Sequence, residues 1–434
     1  MKKSILELIE SKKLKVGVVG LGYAGLPIAL RFADAGFSVL GIDKDQTKVK
    51  LLNEKKNPFV HMDNAEVQKI LNKNFDATSD FAESLSCDAL ILCLPTPIDE
   101  QNEPDLSFVV STMDSLFPHM RKGQIIILES TTYPGTTQEL LLPFILKKGF
   151  DIGHDYFLAY SPEREDPGNE THTTKSIPKV VSGITSHCTA IASKLYSYAV
   201  DTVVNVSSPA AAEMSKLLEN IYRAVNIGLV NEMKIIADSM GIDIHEVIDA
   251  AATKPFGFTP FYPGPGLGGH CIPVDPFYLS WKAKQIGQDA RFIELSGQVN
   301  RDMPMWVFQK LKSAFHERGI DGESKKVLIL GLSYKKNIDD LRESPSIELM
   351  EILRKEGFEV FYSDPFIEEF PSMRNHAFDL KSISIDKDSL QQFDCVILST
   401  DHDSFDYPLI QKYSKLIIDT RGVYKDTNKN IIKA

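Results

Sequence analysis

A cysteine set in a loop of glycine and proline is the residue of this sequence best suited to chemistry. Cys271 stands between Tyr262-Pro-Gly-Pro-Gly-Leu-Gly-Gly-His and Ile-Pro-Val-Asp275. Glycine and proline at this density form neither a helix nor a central strand, and they let the backbone approach a ligand closely. A thiol held against a ligand can act as a nucleophile, although a lone cysteine is more often a buried structural thiol.

Two polar residues on a predicted helix are the matching candidates for charge stabilisation. The pattern predicts one long helix from Ser208 as N-cap to about Met240, with Gly241 as its terminator. Lys216 and Asn220 lie four residues apart and therefore share a face. They either donate to a developing oxyanion or form the solvated side of the helix, and the pattern alone gives both interpretations equal weight.

A glycine fingerprint near the N-terminus indicates a dinucleotide. Residues 14–19 predict a buried strand, Gly20-x-Gly22-x-x-Gly25 follows directly, and a helix is predicted from Pro27 to about Gly36. The next predicted strand, 37–43, ends in Asp43. The glycines allow the turn, the helix N-terminus faces the pyrophosphate, and an acid here accepts ribose hydroxyls but disfavours a 2'-phosphate. We therefore expect NAD rather than NADP, or a nucleotide fold that has lost its ligand.

A second nucleotide-type unit is predicted after the polar stretch 321–326. It carries Gly331-Leu-Ser-Tyr-Lys-Lys in place of the glycine triplet, so we expect it to bind something other than a second dinucleotide. Lys335, Lys336 and Arg342 are candidate phosphate ligands or merely solvated cations. Further predicted elements are strands 87–94, 124–128, 327–332, 358–364, 394–399 and 415–419 and a helix 345–356.

Composition excludes several classes of protein. The 434 residues are 43% hydrophobic and 25% charged, which predicts two or three globular domains. A net charge of -11 gives no electrostatic footprint for nucleic acid or an anionic membrane. No apolar run is long enough for a membrane helix, and the five scattered cysteines form no disulfide framework or zinc pattern. We expect a cytoplasmic protein without a metal.

These elements predict an α/β protein with two Rossmann-like, doubly wound parallel-sheet domains. A central helical domain with the long helix joins them and offers apolar area for dimerisation. The expected domains are 1–205, which would bind NAD, 206–315, which would form the helical dimer region, and 316–434, which would bind a second nucleotide.

Several motifs together resemble the UDP-glucose/GDP-mannose dehydrogenase family over nearly the whole chain. Besides Lys216 and Asn220, they are Gly20-Leu-Gly-Tyr-Ala-Gly-Leu26, Pro95-Thr-Pro97, Ser130-Thr-Thr-Tyr-Pro-Gly135, Ser161-Pro-Glu-Arg164, 263–275 and 331–342. The resemblance implies an NAD-dependent, four-electron oxidation of the C6 alcohol of a nucleotide sugar to a carboxylate. Enzymes of this family usually serve the synthesis of capsule, O-antigen or another surface polysaccharide.

Segments 161–169 and 269–278 are more similar to the branch that acts on UDP-N-acetylhexosamines. Val274 stands where UDP-glucose enzymes usually carry lysine, which supports that branch and removes one usual cofactor contact. The resemblance therefore favours UDP-N-acetylglucosamine, with UDP-N-acetylmannosamine and UDP-glucose as alternatives.

The chemistry assigns roles to the first candidates. An aldehyde loses hydride readily only after a nucleophile has added, so the Cys271 thiolate would form a thiohemiacetal and then a thioester that water hydrolyses. Lys216 and Asn220 would stabilise the oxyanions, and Asp275 would position or deprotonate the water. A dyad of Cys271 with His270 is less favoured, because neighbours in an extended segment point to opposite faces.

The resemblance implies the remaining site residues. Glu163 would act as an acid/base group, and Thr131 would order the water and touch NAD. The cofactor set is Gly20, Gly22, Tyr23, Ala24, Gly25, Asp43, Lys48, Thr96, Thr131, Glu163 and Arg342. The substrate set is Ser161, Glu163, Arg164, Lys216, Asn220, Tyr262, Gly264, Gly268 and Lys335.

Two competing functions use part of the same pattern. A two-electron hydroxyacid dehydrogenase shares an NAD domain and a helix with catalytic Lys and Asn, but needs neither Cys271 nor the second nucleotide domain. A non-catalytic sensor of NAD and nucleotide sugar would keep the binding loops and would not need Cys271 or Lys216.

Overall fold

A computed structural model describes residues 4–59, 64–99, 101–164, 173–269, 271–320, 325–373, 376–425 and 428–434. The chain divides into two compact units. The first unit is Met1–Glu219 with Phe277–Gln288, and the second is Asn220–Pro276 with Asp289–Ala434.

The first unit is built on an eight-stranded sheet. Its strands are β1 (Lys15–Val19), β2 (Ser38–Ile42), β3 (Phe75–Thr78), β4 (Ala89–Leu92), β5 (Ile125–Leu128), β6 (Phe157–Tyr160), β7 (Lys179–Gly183) and β8 (Val203–Asn205). Their order is β3-β2-β1-β4-β5-β6-β7-β8, and all neighbours are parallel except β6 and β7. Alternate residues of β5 belong to two different apolar clusters, so both faces of the sheet are covered, as in a doubly wound fold.

The helices that precede the second sheet along the chain belong to both units. They are α1 (Ile5–Glu10), α2 (Gly25–Asp34), α3 (Gln46–Asn53), α4 (Asn64–Leu71), α5 (Ser107–Leu116), α6 (Leu142–Lys147), α7 (Ser186–Tyr196), α8 (Pro209–Ser239), α9 (Ile244–Ala252), α10 (Asp275–Gln285) and α11 (Arg291–Glu317). The Ser208 hydroxyl accepts from the Ala211 N–H at 3.2 Å at the start of α8, and Gly241 follows its end at φ +71°.

The second unit contains a five-stranded parallel sheet. Its strands are β9 (Lys326–Leu330), β10 (Glu359–Ser363), β11 (Cys395–Leu398), β12 (Ile417–Asp419) and β13 (Ile431–Lys433), in the order β10-β9-β11-β12-β13. Its later helices are α12 (Pro345–Lys355), α13 (Lys387–Leu390) and α14 (Tyr407–Tyr413). Residues of β9 again alternate between two apolar clusters.

The predicted fold class is confirmed, with two Rossmann-like sheets and a long helix. The predicted elements agree with the observed ones within two residues at most ends. Strands β3, β6, β7, β8 and β13 and the long helix α11 were not predicted. Helix α11 contains Pro304, which argues against a helix in a sequence pattern although tertiary packing buries it here.

Candidate active site

The glycine turn after β1 fits a dinucleotide. Gly20 has φ +89°, and a Cβ added to it would lie 2.2 Å from the Cys93 carbonyl oxygen. A Cβ on Gly25 would lie 1.8 Å from the Gly20 oxygen, whereas one on Gly22 would meet nothing within 4 Å. Gly20 and Gly25 therefore close the turn, and Gly22 leaves open space above it for a pyrophosphate.

Hydrogen bonds from neighbouring groups fix the carboxylate of Asp43, which directly follows β2. One Asp43 oxygen accepts from the Leu21 N–H at 2.8 Å and from Lys48 Nζ at 2.9 Å, and the other accepts from the Asp45 N–H at 2.9 Å. Tyr23 lies beside this turn and its ring contacts Phe59, with centroids 5.0 Å apart. Helix α2 has no side-chain cap, so its first-turn amides suit a bound anion.

A buried carboxylate that the sequence analysis missed anchors the loop after β5. Glu213 on α8 accepts from the Gly135 N–H at 2.5 Å, from the Thr137 N–H at 2.9 Å and from the Thr137 hydroxyl at 2.7 Å. Burial raises its pKa. This anchor fixes the loop that carries the half-buried Thr131. An acid three residues before Lys216 on a mostly apolar helix was the available signal.

Glu163 and Lys216 lie together in the first unit. The Lys216 Nζ is 3.8 Å from Glu163 Oε2, and the Glu163 N–H donates to the Glu129 carbonyl at 3.2 Å. Lys216 is only 4% exposed and Asn220 1%, so the interpretation that they form a solvated side of the helix is wrong. Elsewhere in the first unit, the buried Glu129 accepts from Lys179 Nζ at 2.7 Å and from the Tyr196 hydroxyl.

Other predicted residues of the first unit are paired with protein groups or buried. The Arg164 guanidinium donates to both Glu219 oxygens, at 3.2 and 2.5 Å, and to the Pro178 carbonyl at 2.7 Å. Ser161 is fully buried. Thr96 is nearly buried, and its carbonyl accepts from the Tyr278 hydroxyl at 2.9 Å.

The second unit brings Cys271, Asp275 and Asn220 together. The Asp275 N–H donates to the Cys271 carbonyl at 2.8 Å, so the cysteine and the acid bracket one turn immediately before α10. The Asn220 amide donates to an Asp275 oxygen, and the Asn220 oxygen accepts from Arg223. This buried carboxylate is therefore oriented beside the turn that presents the thiol.

The glycine loop before Cys271 is fixed by close backbone packing. The Gly264 N–H donates to Asn231 Oδ1 at 3.0 Å, and the Gly269 N–H donates to the Arg342 carbonyl at 2.9 Å. A Cβ on Gly268 would lie 2.4 Å from Tyr334 Cβ, so glycine is required there. Tyr262 is exposed and donates to Asp249 at 2.8 Å. His270 and the segment 165–172 lie outside the described residues.

The cations of the second nucleotide unit differ in environment. Arg342 donates from Nε and one Nη to both oxygens of Asp340, at 2.6 to 3.0 Å. The exposed Lys336 pairs with Asp403 at 3.1 Å, whereas Lys335 is half-buried.

Comparison with known proteins places these features in one family. The chain matches the UDP-glucose/GDP-mannose dehydrogenase family in its NAD binding domain over residues 14–200, its central domain over 210–302 and its UDP binding domain over 328–426. The chain belongs to the UDP-glucose/GDP-mannose dehydrogenase family. It is an NAD-dependent oxidoreductase, as predicted.

Relatives that carry two different enzyme names are similar to this chain. It is 36% identical over 396 residues to the UDP-N-acetyl-D-glucosamine 6-dehydrogenase of Pseudomonas aeruginosa, covering 91% of this chain and 92% of that one. It is 33% identical over 429 residues to the UDP-N-acetyl-D-mannosamine dehydrogenase of Escherichia coli strain K12, covering 94% and 99%. The solved UDP-D-ManNAc dehydrogenase of Pyrococcus horikoshii superposes with a TM-score of 0.87 at 29% identity, covering 97% and 98%.

The described residues contain neither a membrane-spanning helix nor a cluster of metal ligands. None of the described helices has the length and apolar character needed to span a membrane. Within the same residues, no three His, Cys, Asp or Glu side chains are arranged to hold a metal ion.

Proposed function

We propose that this enzyme oxidises C6 of a UDP-N-acetylhexosamine to the carboxylate in two successive two-electron steps, with UDP-N-acetylglucosamine as its substrate. The sequence of segments 161–169 and 269–278 supports this branch of the family. UDP-N-acetylmannosamine is the second candidate, because relatives of that name are about equally similar.

The observation that carries the proposal is the turn from Cys271 to Asp275 with Asn220 beside it. In the proposed reaction the Cys271 sulfur adds to the C6 aldehyde, and oxidation of this adduct leaves a thioester. Asp275 then orients the water that hydrolyses the thioester, since its buried carboxylate is already fixed by Asn220. Lys216 and Glu163 are assigned to charge stabilisation and proton transfer.

NAD supplies the hydride acceptor for both oxidations when it is bound. We assign its binding to the glycine turn, Asp43, Lys48, Thr96 and Thr131. Arg342, Tyr262, Gly264, Gly268, Ser161 and Arg164 keep the roles predicted from the resemblance, and Lys335 is assigned to the UDP phosphates on the same ground. The proposed domains remain 1–205, 206–315 and 316–434.

We further propose a homodimer that forms through α8. Leu218, Tyr222, Leu229, Met233 and Ile236 are exposed on this helix, and exposed apolar patches commonly mark protein interfaces. We also propose a cytoplasmic enzyme that supplies a surface polysaccharide precursor, because the five cysteines are odd in number and widely spaced, as expected without a disulfide framework.

The test compares Cys271→Ser with a matched variant, Cys395→Ala, whose thiol is buried in β11. Cys271→Ser is expected to lose steady NADH formation by about a thousandfold or more while it still binds NAD and UDP, because serine is the weaker nucleophile. Cys395→Ala should retain the wild-type rate per folded molecule. Unchanged turnover of Cys271→Ser would refute the covalent step. Parallel assays with the two UDP-N-acetylhexosamines and UDP-glucose identify the substrate as the one with the highest kcat/KM.

A further inference from the structure

The loop that carries Lys335 is tied to the loop after β11 through one buried histidine. His402 is fully enclosed, and its ring lies against Phe366 and Phe405, with centroids 5.2 and 5.5 Å away. Its Nδ1 lies 3.0 Å from the Asn337 N–H, and its Nε2 lies 3.2 Å from both Ser333 Oγ and Asp364 Oδ2. One ring therefore contacts the loop on both sides of Lys335.

These contacts define which nitrogen carries the proton. The Asn337 N–H can only donate, so Nδ1 must accept and Nε2 must carry the hydrogen. The Ser333 hydroxyl donates to the Lys335 carbonyl at 2.9 Å, which leaves its oxygen able to accept from Nε2. Asp364 supplies a second acceptor for the same hydrogen. The neutral imidazole thus fits its surroundings with both nitrogens used.

Further bonds join the same two loops. The Thr400 hydroxyl donates to the Ser333 carbonyl at 2.6 Å. The Asn337 amide donates to Asp403 at 2.6 Å, and the Asp403 N–H donates back to Asn337 at 3.1 Å. Asn337 has φ +62°, a conformation that asparagine tolerates better than most residues. The loop is therefore fixed at Ser333 and at Asn337, with Lys335 midway between them.

We propose that His402 is a positioning residue that holds residues 333–337 in the shape that presents Lys335 to the diphosphate of the UDP-sugar. The inference rests on the proposed function. A loop that is ordered before binding loses little conformational entropy on binding, so the ligand binds more tightly than it would to a mobile loop. Without the contacts to His402, residues 333–337 would have to become ordered when the ligand binds, and binding would be weaker.

Two substitutions separate the contributions of the two ring nitrogens of His402. His402→Phe keeps an aromatic ring between Phe366 and Phe405 but removes both nitrogens. His402→Asn keeps an acceptor near the Nδ1 position and loses the Nε2 contacts. Phe405→Leu is the matched control, because it disturbs the same ring cluster and leaves the hydrogen bonds to the loop in place.

The measurements are calorimetric titrations with UDP and with NAD, hydrogen exchange of the 333–337 amides, and kcat and KM for the UDP-sugar. His402→Phe should raise the Kd for UDP and the KM about tenfold, with kcat within about twofold and the Kd for NAD unchanged. His402→Asn should weaken UDP about threefold. Both variants should exchange the loop amides faster than wild type, and Phe405→Leu should change neither loop exchange nor UDP binding.

Three outcomes would overturn the inference. Unchanged loop exchange in His402→Phe shows that the histidine does not hold the loop. Faster exchange with unchanged UDP affinity shows that loop order is irrelevant to the diphosphate. Parallel weakening of UDP and NAD shows general destabilisation instead of positioning. Failure of the wild-type enzyme to bind UDP would instead refute the proposed substrate class, and the assigned diphosphate role would fall with it.

Discussion

In both units a glycine directly follows the first strand of the sheet along the chain. The N–H of this glycine donates to the carbonyl of the last residue of the neighbouring strand. The Gly20 N–H donates to Ile42 at 2.8 Å, and the Gly331 N–H donates to Ser363 at 2.9 Å. The next N–H along the chain, of Leu21 or Leu332, then donates to an aspartate just beyond that strand, at 2.8 and 2.7 Å. Asp43 and Asp364 therefore occupy equivalent places in two similar turns.

The two turns differ in what surrounds the aspartate. The Asp43 side chain is 12% exposed beside Lys48, whereas the Asp364 side chain is fully enclosed beside His402. Helix α2 begins at Gly25 without a side-chain cap, but α12 begins only at Pro345 and is capped by Ser344. The first turn thus leaves its acid and helix amides accessible to a dinucleotide. The second satisfies the same groups with its own side chains, so it binds a different ligand.

The largest loss of stability expected from a substitution tests whether the two turns are equivalent in structure. Gly20→Ala and Gly331→Ala should each lower the free energy of unfolding by about 3 kcal/mol or more, because φ is positive and the new Cβ would meet a carbonyl oxygen at 2.2 or 2.5 Å. Gly22→Ala is the control. It should fold normally and weaken only NAD, since open space surrounds Gly22. If urea unfolding showed that only one of the two glycine sites were sensitive, the two turns would not be equivalent in structure.

A second difference concerns buried lysines. Lys179 in the first unit has Glu129 as a partner, but Lys234 in the second donates to the Thr420 carbonyl at 3.2 Å. Burial lowers the pKa of Lys234 to about 7. Between pH 7 and its ordinary pKa the unfolded chain holds a proton that the folded chain lacks, so stability should rise with pH by up to about 4 kcal/mol. Lys234→Met should flatten this rise in unfolding midpoints measured from pH 7 to 10. Parallel curves for the two proteins would show that Lys234 does not cause it.

Replacing Asp364 and replacing Asp43 should have different effects on stability and on ligand binding. Asp364→Ala should lower stability by about 3 kcal/mol, because it leaves buried N–H donors without an acceptor. Asp43→Ala should cost less stability, about 1 kcal/mol, because solvent reaches its side chain, which is 12% exposed. It should weaken NAD about ten- to a hundredfold, with little effect on UDP. Thermal unfolding and separate titrations of the two ligands check both. Equal weakening of NAD and UDP in Asp43→Ala would mean that the first turn is misassigned.

The smallest expected effect concerns the helix cap. Ser344→Ala should cost about 1 kcal/mol, because the Ser344 hydroxyl accepts from the Ser346 N–H at 3.3 Å. NAD affinity should not change, since α2 lies in the other unit. A change in NAD binding without a loss of stability in urea unfolding would contradict the assignment of NAD to the first turn alone.

The sequence was most informative where one residue type alone fits the backbone. Gly20, Gly25 and Gly331 marked both turns, and the glycine loop marked Cys271, because these positions leave no room for a side chain. Patterns could not reveal contacts between distant segments. Glu213 meets Thr137, and His402 meets Asn337, only after the sheets have formed. Helix α11 was missed because Pro304 opposes helix locally, while tertiary packing prevails.

The measurement that tests the central claim most directly is the number of NADH molecules formed per UDP-sugar consumed. With NAD in excess and UDP-N-acetylglucosamine limiting, the absorbance at completion is predicted to correspond to about two NADH per sugar, because Cys271 carries the aldehyde into a second oxidation. About one NADH per sugar, with release of the aldehyde, would contradict the role of Cys271 as the nucleophile.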